Sequence, residues 1–174
     1  MKKLLIVVDM QNDFINGALG TKEAESIVTA AAEKIKNFDG DIFATLDTHF
    51  ENYLQTSEGK NLPVPHCIKG TDGWELNSTI LAELEKKGYQ KIEKNTFGST
   101  DLPKLINEKY DASDITIELI GLCTDICVVS NALLLKASFT ETPIAVDSLC
   151  CAGVTPETHT AALKVMESCQ ISIK

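Results

Sequence analysis

Short, nearly continuous apolar runs alternate along this chain with longer stretches whose apolar residues recur at helical spacing. Residues 3–9 (KLLIVVD) are apolar almost up to the closing aspartate, the pattern of a strand covered on both faces. Residues 22–38 bring Ala24, Ile27, Val28, Ala31, Ile35 and Phe38 onto one helical stripe. A second strand is expected at 41–47, followed by a polar excursion over 48–74 that carries Gly and Pro. A helix follows at 75–88, stopped by Gly88, then a strand at 89–94 and a helix at 102–110 with Pro103 in its first turn. A strand at 114–121 leads into a helix at 125–137. A strand at 142–147, a helix at 155–168 with Thr155 as cap and Pro156 behind it, and a strand at 170–174 complete the pattern. No repeat or linker divides it. Alternation of this kind predicts an α/β chain, three-layer α/β/α with a six-stranded parallel sheet, as a single domain over 1–174.

The polar residues that interrupt this pattern fall at strand ends. Asp9 closes the first strand, Asp47 and His49 follow the second, and Lys94 closes the third. Cys123 and Cys127 follow the fourth, and Asp147 closes the fifth. Ligands of open parallel sheets bind beyond the carboxyl ends of the strands. A lone strand-end Asp is commonly a turn former; chemically compatible groups at successive strand ends point to a site.

Composition changes this picture little. The chain has 174 residues, 44% hydrophobic and 24% charged, with a formal net charge of −9. An acidic surface argues against nucleic acid or anionic membrane as partner. The N-terminal apolar run ends at Asp9, short of the roughly 7–15 residues of a secretory core, so a cytoplasmic location with reduced thiols is expected. The six cysteines form no C-x-x-C pair.

Cys127 lies in the expected first helical turn, behind a candidate cap at Thr124 or Asp125. A helix N-terminus favours a thiolate, lowering cysteine from its usual pKa of about 8.5, and offers N–H groups to an oxyanion. Cys123, at the strand end, fits a backbone or core role better. Free cysteine is also a common core residue, so position alone leaves both readings open. A thiol that attacks an amide needs a proton acceptor; Asp9, at the end of a buried strand, can serve if burial raises its pKa. Lys94 is available to hold the charges of carboxylate and thiolate together. His159, inside a helix, reads as structural. Asp47-x-His49 puts two donors on one side of an extended segment, with His66 on the same excursion. Such a set suits Zn, Fe or Mn, although loop histidines are ordinarily just solvated.

Three motifs now stand together: LLIVVDMQNDF around Asp9, IEKNTFGST around Lys94 and GLCTDICV around Cys127. With them the whole chain resembles the isochorismatase-like cysteine hydrolases, in their nicotinamidase branch. The resemblance implies a triad of Asp9, Lys94 and Cys127, with Asp9 as general base and acid and Cys127 forming a thioester. It implies an oxyanion hole from the N–H groups of Cys123 and Cys127 after a cis Leu122–Cys123 peptide. Phe14 and Leu122 take substrate-binding positions. A divalent metal, zinc in the first instance and iron or manganese otherwise, is expected on Asp47, His49 and His66, with Glu58 as fourth ligand. In that branch the metal anchors the pyridine nitrogen while the carboxamide faces the thiol.

The expected function is hydrolysis of a small amide, nicotinamide first, with no nucleic-acid or membrane partner and with self-assembly open. Alternatives are another small amide or N-carbamoyl amine on the same triad, or a thiol redox or metal-binding protein without catalysis. The chain also departs from the branch. Pro63 stands where a Trp commonly precedes the third metal ligand, and Ile126 where an aromatic or His precedes the nucleophile. Trp74 and Phe97 remain as sources of aromatic surface.

Overall fold

The computed structural model describes residues 1–174. Its strands are β1 (Lys2–Val8), β2 (Asp41–Asp47), β3 (Gln90–Lys94), β4 (Ile115–Leu122), β5 (Ile144–Ala152) and β6 (Ser172–Ile173). Its helices are α1 (Asn12–Ile15), α2 (Lys22–Asn37), α3 (Ser57–Asn61), α4 (Ser78–Lys87), α5 (Asp101–Lys109), α6 (Val129–Ser138) and α7 (Pro156–Ser168). The strands form one parallel sheet in the order β3-β2-β1-β4-β5-β6.

Period-two alternation in β1 divides the apolar residues between two cores. Leu5 and Val7 pack with Ala31 and Ile35 of α2 and Ile80 and Leu84 of α4. Leu4, Ile6 and Val8 pack on the other face with Leu102 and Ile106 of α5, Ala132 and Leu135 of α6 and Met166 of α7. Because both faces are covered, the β1 sequence is apolar without alternation. Sequence caps are realised at α2, where Thr21 accepts from Ala24 N–H, and at α7, where Thr155 and Thr158 form a capping box.

Three expectations shift. First, β5 runs to Ala152 rather than ending at Asp147. Its register against β4 jumps between Leu119 and Gly121, so Asp147 lies within the strand and pairs with Lys34 at 2.9 Å, away from the strand-end cluster. Second, the excursion 48–74 is partly ordered by α3 and by 3₁₀ turns at Tyr53–Gln55 and Asp72–Trp74. Third, the chain after β4 enters α6 through one π turn, Thr124–Val128, and neither Thr124 nor Asp125 caps it. Thr124 Oγ1 instead shares a 2.8 Å hydrogen bond with His159 Nδ1, and Asp125 Oδ1 accepts from Val154 N–H at 3.0 Å. Thr124 ties the turn to α7 and Asp125 ties it to the β5–α7 connection.

The strand order reverses between β1 and β4, which is where a doubly wound sheet opens its crevice. Gly121 makes that approach possible. It sits at φ 120°, and a Cβ there would lie 2.1 Å from the Val8 carbonyl oxygen.

Candidate active site

Asp9 follows β1 at the crevice, with φ 47°, a conformation few L-residues adopt. That turn aims its carboxylate inward, where it is fully buried. Oδ1 accepts from Thr45 Oγ1 at 2.6 Å and Oδ2 lies 2.6 Å from Lys94 Nζ. Lys94, the last residue of β3, reaches across β2; its ammonium is 3.5 Å from Cys127 Sγ and 3.3 Å from Asp47 Oδ1. A carboxylate, an ammonium and a thiol from three remote segments thus meet around one buried nitrogen.

The charges decide the resting protonation. Burial raises the pKa of Asp9, and the nearby Asp47 charge adds to it, against the pull of Lys94. Burial works against the Lys94 ammonium, but Asp9, Cys127 and Asp47 hold it charged beyond the ordinary lysine range. Burial and the Asp9 charge push the Cys127 thiol well above its usual value, with Lys94 opposing. The lowered thiol pKa expected from a helix N-terminus is therefore not found. Complete desolvation beside two carboxylates outweighs one ammonium and a helical turn. Cys127 rests as a thiol next to a carboxylate made unusually basic by burial.

The Leu122–Cys123 peptide is cis. The Cys123 N–H donates to no backbone acceptor, while the Cys123 carbonyl accepts from both Ile126 and Val128 N–H. Burial raises the Cys123 thiol to about 12, so its side chain is a poor nucleophile. The Leu122 side chain is fully buried in the core on the α2 face, leaving only its backbone at the crevice. Asn131, in the first turn of α6, donates to the Cys127 carbonyl at 2.8 Å and accepts from Ser99 N–H at 2.9 Å, fixing the turn that carries the thiol.

Beside Asp9, Lys94 and Cys127, the side chains of Asp47, His49, Glu58 and His66 offer ligand atoms within 4.8 Å of one another. Asp47 Oδ2 is 2.9 Å from His49 Nε2 and 3.5 Å from His66 Nε2; Glu58 Oε1 is 3.6 and 3.5 Å from the same nitrogens. His66 Nδ1 donates to the Val64 carbonyl at 2.8 Å, which fixes the ring with Nε2 turned inward. Burial opposes a proton on His66, yet hydrogen bonds to Asp47 and Glu58 raise it to about 10. Burial opposes the Asp47 charge too, but hydrogen bonds to His49 and His66 with the Lys94 charge hold its carboxyl far below the usual range. Two imidazoles and two carboxylates converging on one point are the donor set of a divalent transition metal, and these residues fit one. Phe14 lies against this set, its ring centroid 5.5 Å from that of His66.

Gln11 and Asp13, inside the first motif, brace these ligands, which pattern reading did not foresee. Gln11 is fully buried; its Nε2 donates to the Asp47 carbonyl at 2.8 Å and its Oε1 accepts from Asp47 N–H at 2.7 Å. Asp13 Oδ2 accepts from Cys67 N–H at 2.7 Å, holding the residue after His66 at φ 48°. Cys67 in turn takes the His49 N–H on its carbonyl at 2.9 Å. Thr45 and Asn131 were also unforeseen in these roles, and their polarity within apolar runs was the only signal available; His159, read as structural, is bonded to Thr124. Trp74 packs in the core and donates its indole N–H to Thr48 Oγ1, whereas Phe97 is exposed beside the crevice.

Above the metal-type set opens a cleft of about 830 Å³, lined by His49 and Glu58 at its floor and by Phe50, Leu62, Phe97 and Ile126 further out. A smaller cleft of about 490 Å³ near Lys34 and Glu118 lies at the other end of the strands, remote from this chemistry.

The isochorismatase domain family matches residues 3–173. A curated relative, an uncharacterized isochorismatase family protein of Bacillus subtilis, is 33% identical over 147 residues, covering 76% of this chain and 78% of that protein. A crystal structure of nicotinamidase/pyrazinamidase from Bacillus subtilis superposes with TM-score 0.82 at 31% identity, covering 99% of both chains. A Pyrococcus horikoshii pyrazinamidase in complex with zinc gives 0.79 at 27% identity, covering 100% and 99%. N-carbamoylsarcosine amidase of Thermoplasma acidophilum gives 0.77 at 28% identity, covering 100% and 96%. The protein is a member of the isochorismatase family, of its nicotinamidase/pyrazinamidase-like branch, and a hydrolase of amide C–N bonds.

Proposed function

We propose that the chain hydrolyses nicotinamide to nicotinate and ammonia through a thioester on Cys127. The observation that carries this reading is the single Lys94 ammonium in contact with both Asp9, at 2.6 Å, and Cys127 Sγ, at 3.5 Å. Asp9, made basic by burial, takes the thiol proton as sulfur attacks the amide carbon. Negative charge then passes to the carbonyl oxygen, where the N–H groups of Cys123 and Cys127 receive it. The tetrahedral adduct collapses, Asp9 returns the proton to the leaving nitrogen, and ammonia departs. A water deprotonated by Asp9 attacks the thioester; sulfur leaves as thiol and the acid is released. Throughout, Lys94 keeps carboxylate and sulfur together whichever of them is charged.

Asp47, His49, His66 and Glu58 would hold a divalent metal, which when bound supplies a Lewis-acid contact for a substrate heteroatom near the amide. Phe14, against His66, offers a face to a flat ring. A redox role for Cys123 and Cys127 finds no support in these surroundings, because redox-sensing thiols are exposed and of low pKa.

The test is ammonia release from nicotinamide by metal-reconstituted protein. Cys127→Ala should lower it by at least about a thousandfold, and full activity in that variant would sink the reading. A second reading, hydrolysis of an N-carbamoyl amine on the same triad, is favoured by the likeness to N-carbamoylsarcosine amidase. A panel of amides with the same readout separates the two.

A further inference from the structure

We propose that the outer cleft is a second subsite, built to take a neutral aryl or alkyl group carried by the acyl half of the amide. This rests on the amidase reading above. The cleft of about 830 Å³ lies near the upper end of the range, roughly 300–1,000 Å³, that encloses drug-sized ligands. The cleft reaches His49 and Glu58 of the metal-type set and Ile126 beside Cys127, while its other lining residues belong to neither group.

The outer walls have a definite chemistry. Phe50 (55% exposed), Leu62 (39%) and Phe97 (47%) present large apolar surface to solvent there, and Ile126 continues it to the residue before the nucleophile. Beyond His49 and Glu58 at the floor, the remaining side chains are neutral amides and hydroxyls; no Lys, Arg or Asp lines the cleft. On a chain with a net charge of −9 and 24% charged residues, a concavity with no charged side chain above its floor and with an apolar rim is set apart from the surrounding surface. Three separate segments contribute: the excursion after β2, the loop after β3 and the turn before α6. The surface is therefore assembled by the tertiary fold and is not one loose apolar loop.

The walls also say which half of the substrate extends. Phe50 and Leu62 belong to the excursion that carries His49, Glu58 and His66, so the apolar wall borders the end of the site where the acyl group would be anchored. Ammonia leaves at the other end, beside Asp9.

The experiment measures binding separately from chemistry. Zinc-loaded Cys127→Ala protein is titrated calorimetrically with nicotinamide and with nicotinamide bearing a phenyl group meta to the carboxamide. The phenyl amide should bind at least about tenfold more tightly, and adding Phe97→Ala, an exposed position, should shrink that preference several-fold. A phenyl amide that binds no tighter than nicotinamide, or a preference indifferent to both Phe97→Ala and Leu62→Ala, overturns the subsite. Ammonia release by the native protein is scored alongside. Preferential binding without hydrolysis of either amide would refute the nicotinamide reading and leave the subsite standing.

Discussion

Replacing Lys94 by Met keeps the length of the side chain and removes the one cation shared by Asp9, Asp47 and Cys127. At an effective dielectric of about 20, unit charges at the Asp9 and Asp47 separations attract by about 6 and about 5 kcal/mol before desolvation is counted. Desolvation of the ammonium offsets much of this, but removing Lys94 strands the buried Asp9 carboxylate, while Asp47 keeps His49 and His66, and leaving one such charge unpaired costs about 3–5 kcal/mol. That is a large share of the roughly 5–15 kcal/mol that stabilises a domain. The loss should depend on pH. Burial already raises Asp9, and Lys94 is what holds it down. Without Lys94 the folded pKa of Asp9 rises further above its unfolded value. The penalty is then full above the folded pKa and shrinks as pH falls toward the unfolded one. Urea unfolding of metal-free protein at about pH 8 and about pH 5 reads both effects. The variant should lose about 3–5 kcal/mol at the higher pH and clearly less at the lower. Adding Asp9→Asn should recover part of the loss, since it removes one stranded charge. A variant within about 1 kcal/mol of the parent at pH 8, or one with equal losses at both pH values, would refute the shared-cation argument.

Asp13→Asn can accept from only one of Ala18 and Cys67, where the carboxylate accepts from both; chelator competition should report a metal affinity about 10–100-fold weaker, and an unchanged affinity would remove Asp13 from the ligand scaffold. At Glu118 burial opposes the charge, but hydrogen bonds from Lys174 and Lys34 bring its pKa below the ordinary glutamate range. Its contribution is present above the unfolded pKa and lost as pH falls through the folded one, so Glu118→Gln should flatten the acid limb of thermal stability; an unaltered limb counts against it. Gly121→Ala should destabilise by at least about 2–3 kcal/mol, because the new methyl meets the Val8 carbonyl at a φ of 120°, and a neutral result in urea would contradict the close β1–β4 approach.

Apolar periodicity alone carried the layer architecture, because a strand buried on both faces must be continuously apolar and a covering helix must be striped. Asp9 was legible for the same reason, as a charge that ends a buried run; Lys94 and Cys127 stood out only by their places at a strand end and at a helix start, and the resemblance joined the three. Asp147 satisfied that criterion too, yet it lies inside β5, because a register jump extends the strand beyond it. Sequence has no marker for such a bulge, which depends on how β5 meets β4. The Cys127 environment was misread for a related reason. A helix N-terminus is local and visible in the chain, whereas complete burial beside Asp9 and Asp47 arises only when remote segments close together. Gln11 and Asp13 lay in plain view within the first motif, but their partners, Asp47 and Cys67, are 36 and 54 residues away. The sequence by itself thus determined which groups were available and which strand ends present them, since both follow from local patterning. Tertiary structure alone decided their spacing, their protonation and the breadth of the cleft above them, since distance, dielectric and shape belong to the folded assembly and to no segment of it.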